Sequence, residues 1–277
     1  MTPKTLASIL TARYGLALSV SERITPAGTI LDVRPGDLEP SSGFRIEVGL
    51  GWRSLHASFL PDAFAKPLIS EMARSNAEQR QLFATFAQSL KNRTAAVQLN
   101  IDDTEYDPCK PITWPEWWNK ILFGMKIVGV KVEHQGRYEL ANVVDPICGF
   151  VGMTLALLPL EIESDEEELA GEAEGQSNRV EVNRYERSLL NRAACIDIHG
   201  LNCAVCQMDF GSVYGDIGHG YIHVHHVNPL ASMSTVYVLN PAKDLVPVCP
   251  NCHSMLHRRD PPFSVEELRV VIGKKGE

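Results

Sequence analysis

The chain offers no run of the roughly 18 to 20 uninterrupted apolar residues that a membrane span requires. Its start, Met1-Thr2-Pro3-Lys4, opens an amphipathic pattern rather than the apolar core of a secretory leader. A soluble, untargeted protein of the reducing cytoplasm, with no membrane partner, is therefore expected. Basic charge is not in excess either: 26 Lys and Arg stand against 34 Asp and Glu, a formal charge of -8. Any nucleic-acid binding would have to rest on local patches and a metal rather than on overall charge. No internal repeat is visible in residues 1–160. Cysteine is present but odd in number, at seven, and in a chain without a leader that argues for metal ligation over a disulfide framework.

What is there divides unevenly. At 277 residues and 44% hydrophobic composition the chain can bury two ordinary cores. Residues 161 to 178 carry Glu161, Glu163, Asp165, Glu166, Glu167, Glu168, Glu172 and Glu174 and no base, so the remainder is neutral, with 26 charges of each sign. The acidic run has no apolar periodicity and contains Gly171, Gly175 and Ser177, the composition of a self-repelling flexible linker. The predicted organisation is a domain over 1–160, a linker over 161–179 and a second domain over 180–277.

In the first domain Leu6, Ile9, Leu10 and Tyr14 recur at helical spacing after Pro3. Phe44, Ile46, Val48 and Leu50 alternate as in a half-buried strand. Residues 62–92 read as helix, broken in two if Ser75 and Glu78 form a capping box ahead of Leu82, Phe83, Phe86 and Leu90. A strand is expected over 95–101, a short helix carrying Trp117 and Trp118 behind a second box at Thr113 and Glu116, and further strands over 124–133, 137–144 and 149–160. The class is α+β. No catalytic motif appears in this part; Trp114, Trp117 and Trp118 either anchor the core or stack on a base, and Cys109 and Cys148 read as ordinary thiols.

The second domain carries two Cys-x-x-Cys turns, Cys203 with Cys206 and Cys249 with Cys252, separated by 42 residues. Each turn presents two thiolates, and two turns complete the tetrahedral sulfur site that zinc takes when its role is structural. Cys195, on an expected helix over 185–197, lies outside both turns and reads as a buried small hydrophobe. Histidines surround the second turn: His223, His225 and His226 before Pro229, then His253 and His257, followed by Arg258 and Arg259.

The paired His225-His226, the run from Asp244 through Cys249 and Cys252 to His253, and the earlier Asp209-Phe210 and Tyr214-Gly215 together resemble the McrA-like HNH endonucleases over about residues 180–260. The resemblance implies a ββα-metal fold and metal-assisted hydrolysis of DNA. His225 and His253 would be ligands of a catalytic magnesium or manganese ion, and His226 the general base that takes a proton from the attacking water. The usual asparagine position is held by Asp244, which can still accept a hydrogen bond from His226 and fix its tautomer, with the pH optimum moved. His257, one helical turn beyond His253, either completes the metal or phosphate site or is a surface residue. Arg258 and Arg259 either contact phosphate or are solvated, His223 is a peripheral partner on the His225 face, and His219 is a loop residue. Asn251, inside the second zinc turn, would shape its backbone.

The expected protein is thus a restriction or defence nuclease acting on DNA, modified or not, with a homodimer as one route to cutting both strands. Two alternatives stand beside it: a non-catalytic, zinc-dependent DNA-binding module, and a nuclease restrained by an N-terminal ligand- or protein-sensing domain.

Overall fold

A computed structural model describes residues 2–26, 28–36, 41–129, 133–134, 137–138, 140–158, 189–227, 239–259 and 261–273. The chain divides into two compact units, Met1–Leu160 and Glu161–Glu277. The expected linker over 161–179 falls outside the described residues. Both units mix helix and strand, so the protein is α+β. No helix among the described residues is long and apolar enough to cross a membrane.

Unit 1 opens with α1 (Pro3–Tyr14), started by the Thr2 hydroxyl accepting from the Thr5 amide. Two hairpins follow: β1 (Leu18–Thr25) with β2 (Gly28–Pro35), and β3 (Phe44–Gly51) with β4 (Ser54–Pro61). Gly28 holds φ +135° where a Cβ would stand 2.3 Å from the Leu50 carbonyl oxygen, so no other residue fits the first hairpin there. Helices α2 (Lys66–Ala73) and α3 (Ala77–Asn92) lead to β5 (Ala96–Ile101), β6 (Thr104–Tyr106) and β7 (Ile121–Val128). The strands form one antiparallel sheet in the order β1-β2-β3-β4-β7-β5-β6. A two-residue ladder, β8 (Glu133–His134) with β9 (Arg137–Tyr138), precedes α4 (Leu140–Ala156).

Strand alternation decides which face is covered. Leu31, Val33, Phe44, Ile46, Val48, Leu55, Ala57 and Phe59 are buried, while the residues between them form an ion network in which Arg23 and Arg45 share Asp32 at 3.2 and 3.5 Å. Helix α1 packs on β1, α3 on β5 and α4 on both α3 and β4. Phe123 ties the layers together: it stacks on Phe59 at 4.8 Å, meets Phe83 edge-on at 5.3 Å and tilts against Phe150 at 5.7 Å.

Three local expectations need correction. The strands predicted over 137–144 and 149–160 are largely one helix, α4, preceded by the short β9. Val143, Val144, Ile147, Cys148, Phe150, Val151 and Met153 are all buried, and a segment apolar on every side gives neither period a signal. The capping box lies one residue later than Ser75: Asn76 Oδ1 accepts from the Gln79 amide and Gln79 Oε1 accepts from the Asn76 amide, both at 2.9 Å. The helix expected around Trp117 is absent; one 3-10 turn over Pro111–Thr113 is followed by irregular chain with bends. Pro115 forces Trp114 into its extended conformation (φ -75°, ψ 152°), and Arg80 then holds the segment through the Pro115 and Glu116 carbonyls at 3.0 Å. Trp114 and Trp118 are core residues, and Trp117, 47% exposed, has the Arg74 guanidinium 5.8 Å from its ring centre.

Unit 2 contains α5 (Leu189–His199), the short α6 (Phe210–Tyr214), β10 (His223–His226), α7 (Pro241–Asp244), β11 (Leu245–Val248), α8 (Pro250–Leu256) and α9 (Val265–Gly273). Strands β10 and β11 pair antiparallel, His223 opposite Val248 and His226 opposite Leu245. Residues 185–188 of the helix expected over 185–197 lie outside the described residues.

Candidate metal centres

The two cysteine turns reach one point by different local routes. Cys203 and Cys206 sit in a knuckle closed by the Gln207 amide on the Cys203 carbonyl (2.9 Å) and the Cys203 amide on the Met208 carbonyl (3.0 Å). Gln207 takes φ 62°, in the left-handed region that lets so tight a turn reverse. The Ala204 amide donates to the Pro247 carbonyl at 2.8 Å, docking the knuckle on β11. Cys249 ends that strand and is the N-cap of α8, its Sγ accepting from the Cys252 amide at 3.4 Å. Pro250 supplies the first helical residue with φ already set.

The four sulfurs all lie within 4.8 Å of one another, and Cys206 Sγ is 3.7 Å from Cys249 Sγ. A tetrahedron with Zn–S bonds of about 2.3 Å has edges of roughly 3.8 Å, so the cluster has the size of a zinc site. Burial raises the Cys206 and Cys252 thiols, and the neighbouring sulfurs add to the rise at Cys252. Burial acts the same way on Cys203, but the backbone amides of Cys206, Cys249 and Val205 outweigh it and hold that thiol below its ordinary value. The cluster is the centre of a small core of Ile196, Val205, Ile222, Val248, Leu256, Val265 and Leu268. Cys195 belongs elsewhere: it is fully buried with Val224, Leu239 and Leu245, and burial pushes its thiol up to about 12.

A second cluster draws on the same helix. His225, His253 and His257 bring their ligand nitrogens within 4.8 Å of one another. The ring centres are 5.3 Å apart for His225 and His253, 4.9 Å for His225 and His257, and 4.9 Å for His253 and His257. The geometry follows from the elements: His225 comes from β10 and His253 from α8, while His257, four residues after His253, is the C-cap residue that follows the helix. His225 Nδ1, His226 Nε2 and His253 Nε2 are all buried atoms. Three imidazoles suit zinc, copper, iron or nickel, whereas magnesium and manganese favour oxygen ligands. The donor set therefore singles out neither of the two catalytic ions expected.

The remaining candidates are distributed around this triad. His226 is next to His225 in β10 but is not one of the three clustered imidazoles. Asp244 is buried beside it in register: the Val227 amide donates to the Asp244 carbonyl at 2.8 Å, and Leu245 pairs with His226. The Asp244 carboxylate also accepts from the Asn240 amide at 2.7 Å, closing the turn of α7. His223 meets His253, Nδ1 to Nδ1, at 3.2 Å. Arg258 is exposed, and Arg259 is engaged by Glu267 at 2.9 Å and by the Phe263 ring at 4.1 Å. His219 lies exposed in a turn, and Asn251 is exposed on the first turn of α8. Sequence reasoning gave Arg192 no role, yet its guanidinium donates to the Gly220 and Ile222 carbonyls at 3.2 and 3.0 Å and ties α5 to the entry of β10. A lone arginine on a helix carries no signal for such a backbone contact. In comparisons with family models, curated proteins and solved structures, nothing matches this chain.

Proposed function

We propose that the protein is a metal-dependent DNA endonuclease of the HNH type, its unit 2 a zinc-stapled ββα module and its unit 1 a recognition or regulatory domain. The observation that carries the reading is the His225–His253–His257 triad, drawn from strand β10 and from α8 with its cap residue, in a unit that also holds a four-sulfur cluster. The resemblance of residues 180–260 to McrA-like nucleases supports it.

In this mechanism His225, His253 and His257 would hold one divalent ion, which would supply positive charge near the scissile phosphate. His226 removes a proton from a water attacking phosphorus. The phosphorus–3′ oxygen bond breaks as the new phosphorus–oxygen bond forms, leaving a 5′-phosphate and, after the leaving oxygen takes a proton from solvent, a 3′-hydroxyl. Asp244, buried next to His226, orients that imidazole. Cys203, Cys206, Cys249 and Cys252 would hold a zinc ion with four thiolates, which gives that site a structural rather than a catalytic role. Arg258 contributes charge at the phosphate-facing end of α8, and the engaged Arg259 contributes less. A restriction or defence role, and action on modified DNA, follow from the family resemblance alone.

The test is cleavage of plasmid DNA with manganese by the full chain and by His226→Ala. The variant should lose about 10²- to 10⁴-fold in rate while retaining its metals, and equal nicking by both would remove His226 as the base. Binding without cleavage by the wild type would favour the DNA-binding module instead. Deleting residues 1–178 separates the roles of unit 1: a gain of cleavage means restraint, and a loss of DNA affinity means recognition.

A further inference from the structure

His223 enters the triad's surroundings without entering the triad. The imidazoles whose ligand nitrogens all lie within 4.8 Å of one another are His225, His253 and His257, and His223 reaches them through His253. His223 and His225 lie two residues apart on β10 and so share a face. The His253 ring stands between them, its centre 5.4 Å from His223 and 5.3 Å from His225. The contact on the His223 side is specific: Nδ1 to Nδ1 at 3.2 Å.

Two ring nitrogens at hydrogen-bonding distance need one proton between them, so one ring donates and the other accepts. An imidazole that ligates a cation through Nε2 has a lone pair there, and its neutral form therefore carries its proton on Nδ1. With the buried Nε2 of His253 turned to the ion, His253 Nδ1–H donates and His223 Nδ1 accepts, leaving the proton of His223 on its own Nε2. The bond also opposes rotation of the His253 ring about χ2, a torsion with a broad two-fold preference. A half-turn would put carbon where each nitrogen now stands and take Nε2 away from the ion.

We propose that His223 is the positioning residue of the histidine metal centre, accepting the Nδ1 proton of His253 and so fixing both the tautomer and the ring orientation that present Nε2 to the cation. This rests on the reading of the triad as a metal site. It assigns His223 a role distinct from that of a fourth ligand and from that of the base.

The experiment is manganese binding to the full chain with zinc already in the cysteine cluster, followed by the paramagnetic signal of the free ion. Manganese is chosen because it competes poorly with zinc for thiolates. His223→Phe keeps a flat ring and removes the acceptor; His223→Asn keeps an acceptor close to the Nδ1 position. The phenylalanine variant should bind manganese about 10- to 100-fold more weakly, and the asparagine variant should stay within about threefold of the wild type. Unchanged affinity in His223→Phe, or an asparagine variant as weak as the phenylalanine one, overturns the proposal. Should the phenylalanine variant fail to fold, nitrogen-15 spectra of the wild-type histidines with zinc at both sites decide the matter. A His253 proton on Nδ1 supports the assignment, and a proton on Nε2 refutes it. The two levels fail differently: a wild type that takes up no manganese ends the metal reading itself. Binding that is abolished by His225→Ala but untouched by His223→Phe ends only the role of His223.

Discussion

Removing zinc from the cysteine cluster should unfold unit 2 while leaving the thermal transition of unit 1. The size of the effect follows from what surrounds the sulfurs. Among the described residues, the buried core there has seven aliphatic side chains, Ile196, Val205, Ile222, Val248, Leu256, Val265 and Leu268, with three buried cysteines and a partly buried shell that includes Met208, Phe210 and Phe263. Folded domains keep a net stability of only about 5–15 kcal/mol, and zinc in a four-thiolate site contributes about 10–16 kcal/mol. Loss of the ion is thus as large as the whole margin. Unit 1 draws on a separate source, the seven-stranded sheet under α1, α3 and α4. The assay is calorimetry before and after dialysis against a chelator, with zinc counted by atomic absorption. Cys249→Ala provides the genetic equivalent, and His257→Ala a control that leaves the sulfur site intact. Two transitions should become one. A zinc-free protein that melts with both transitions unchanged would refute the reasoning, because the apolar core alone would then be sufficient.

Two further outcomes test unit 1. Gly152→Ala adds a Cβ that would stand 2.5 Å from Phe86 Cζ and 2.8 Å from the Tyr14 hydroxyl; the Phe86 ring is fully buried and Tyr14 donates to the Cys148 carbonyl at 2.6 Å, so neither can give way freely. Overpacking of about 1–3 kcal/mol should outweigh the helix-propensity gain of up to about 1 kcal/mol, and a melting temperature at or above wild type would contradict this. Asp107 is held below the usual carboxylate range by the Cys109 amide and by Lys91. Its depressed pKa stabilises the fold above the unfolded value near 4 and loses that effect as pH falls through the folded value. Asp107→Asn should therefore be less stable at pH 7 by under about 1 kcal/mol, with the gap closing below pH 4 in urea titrations; a gap that is constant with pH would refute the charge as its source.

How much of this was legible in the sequence depended on whether a residue's role is local. The four cysteines announce their cluster because ligand chemistry fixes both type and spacing, and His253 and His257 announce a shared helix face through their four-residue interval. Helix α1, strand β3 and strand β5 were readable because one face of each is apolar at the right period. Strands β1 and β2 were not foreseen: β1 lies at the sheet edge, where every position after Leu18 is half-buried or exposed. An edge strand without an apolar face looks like loop. The displaced capping box had a simpler cause. Ser75 and Asn76 are both good caps, and the choice fell to Gln79, whose side chain also donates to the Leu158 carbonyl at 2.9 Å. The bond between His223 and His253 was beyond sequence reasoning, since it depends on how β10 faces α8.

Helix α8 is only seven residues long, yet Cys252 and His253 are consecutive on it and serve different clusters. Each residue added to a helix rotates every later side chain by about 100° and advances it by about 1.5 Å. An insertion or deletion between Cys252 and His257 would therefore swing an imidazole away from β10 even with every ligand still present. A change of length that spared both clusters would have to fall outside that helix, whose register acts as a fixed gauge between sulfur and nitrogen.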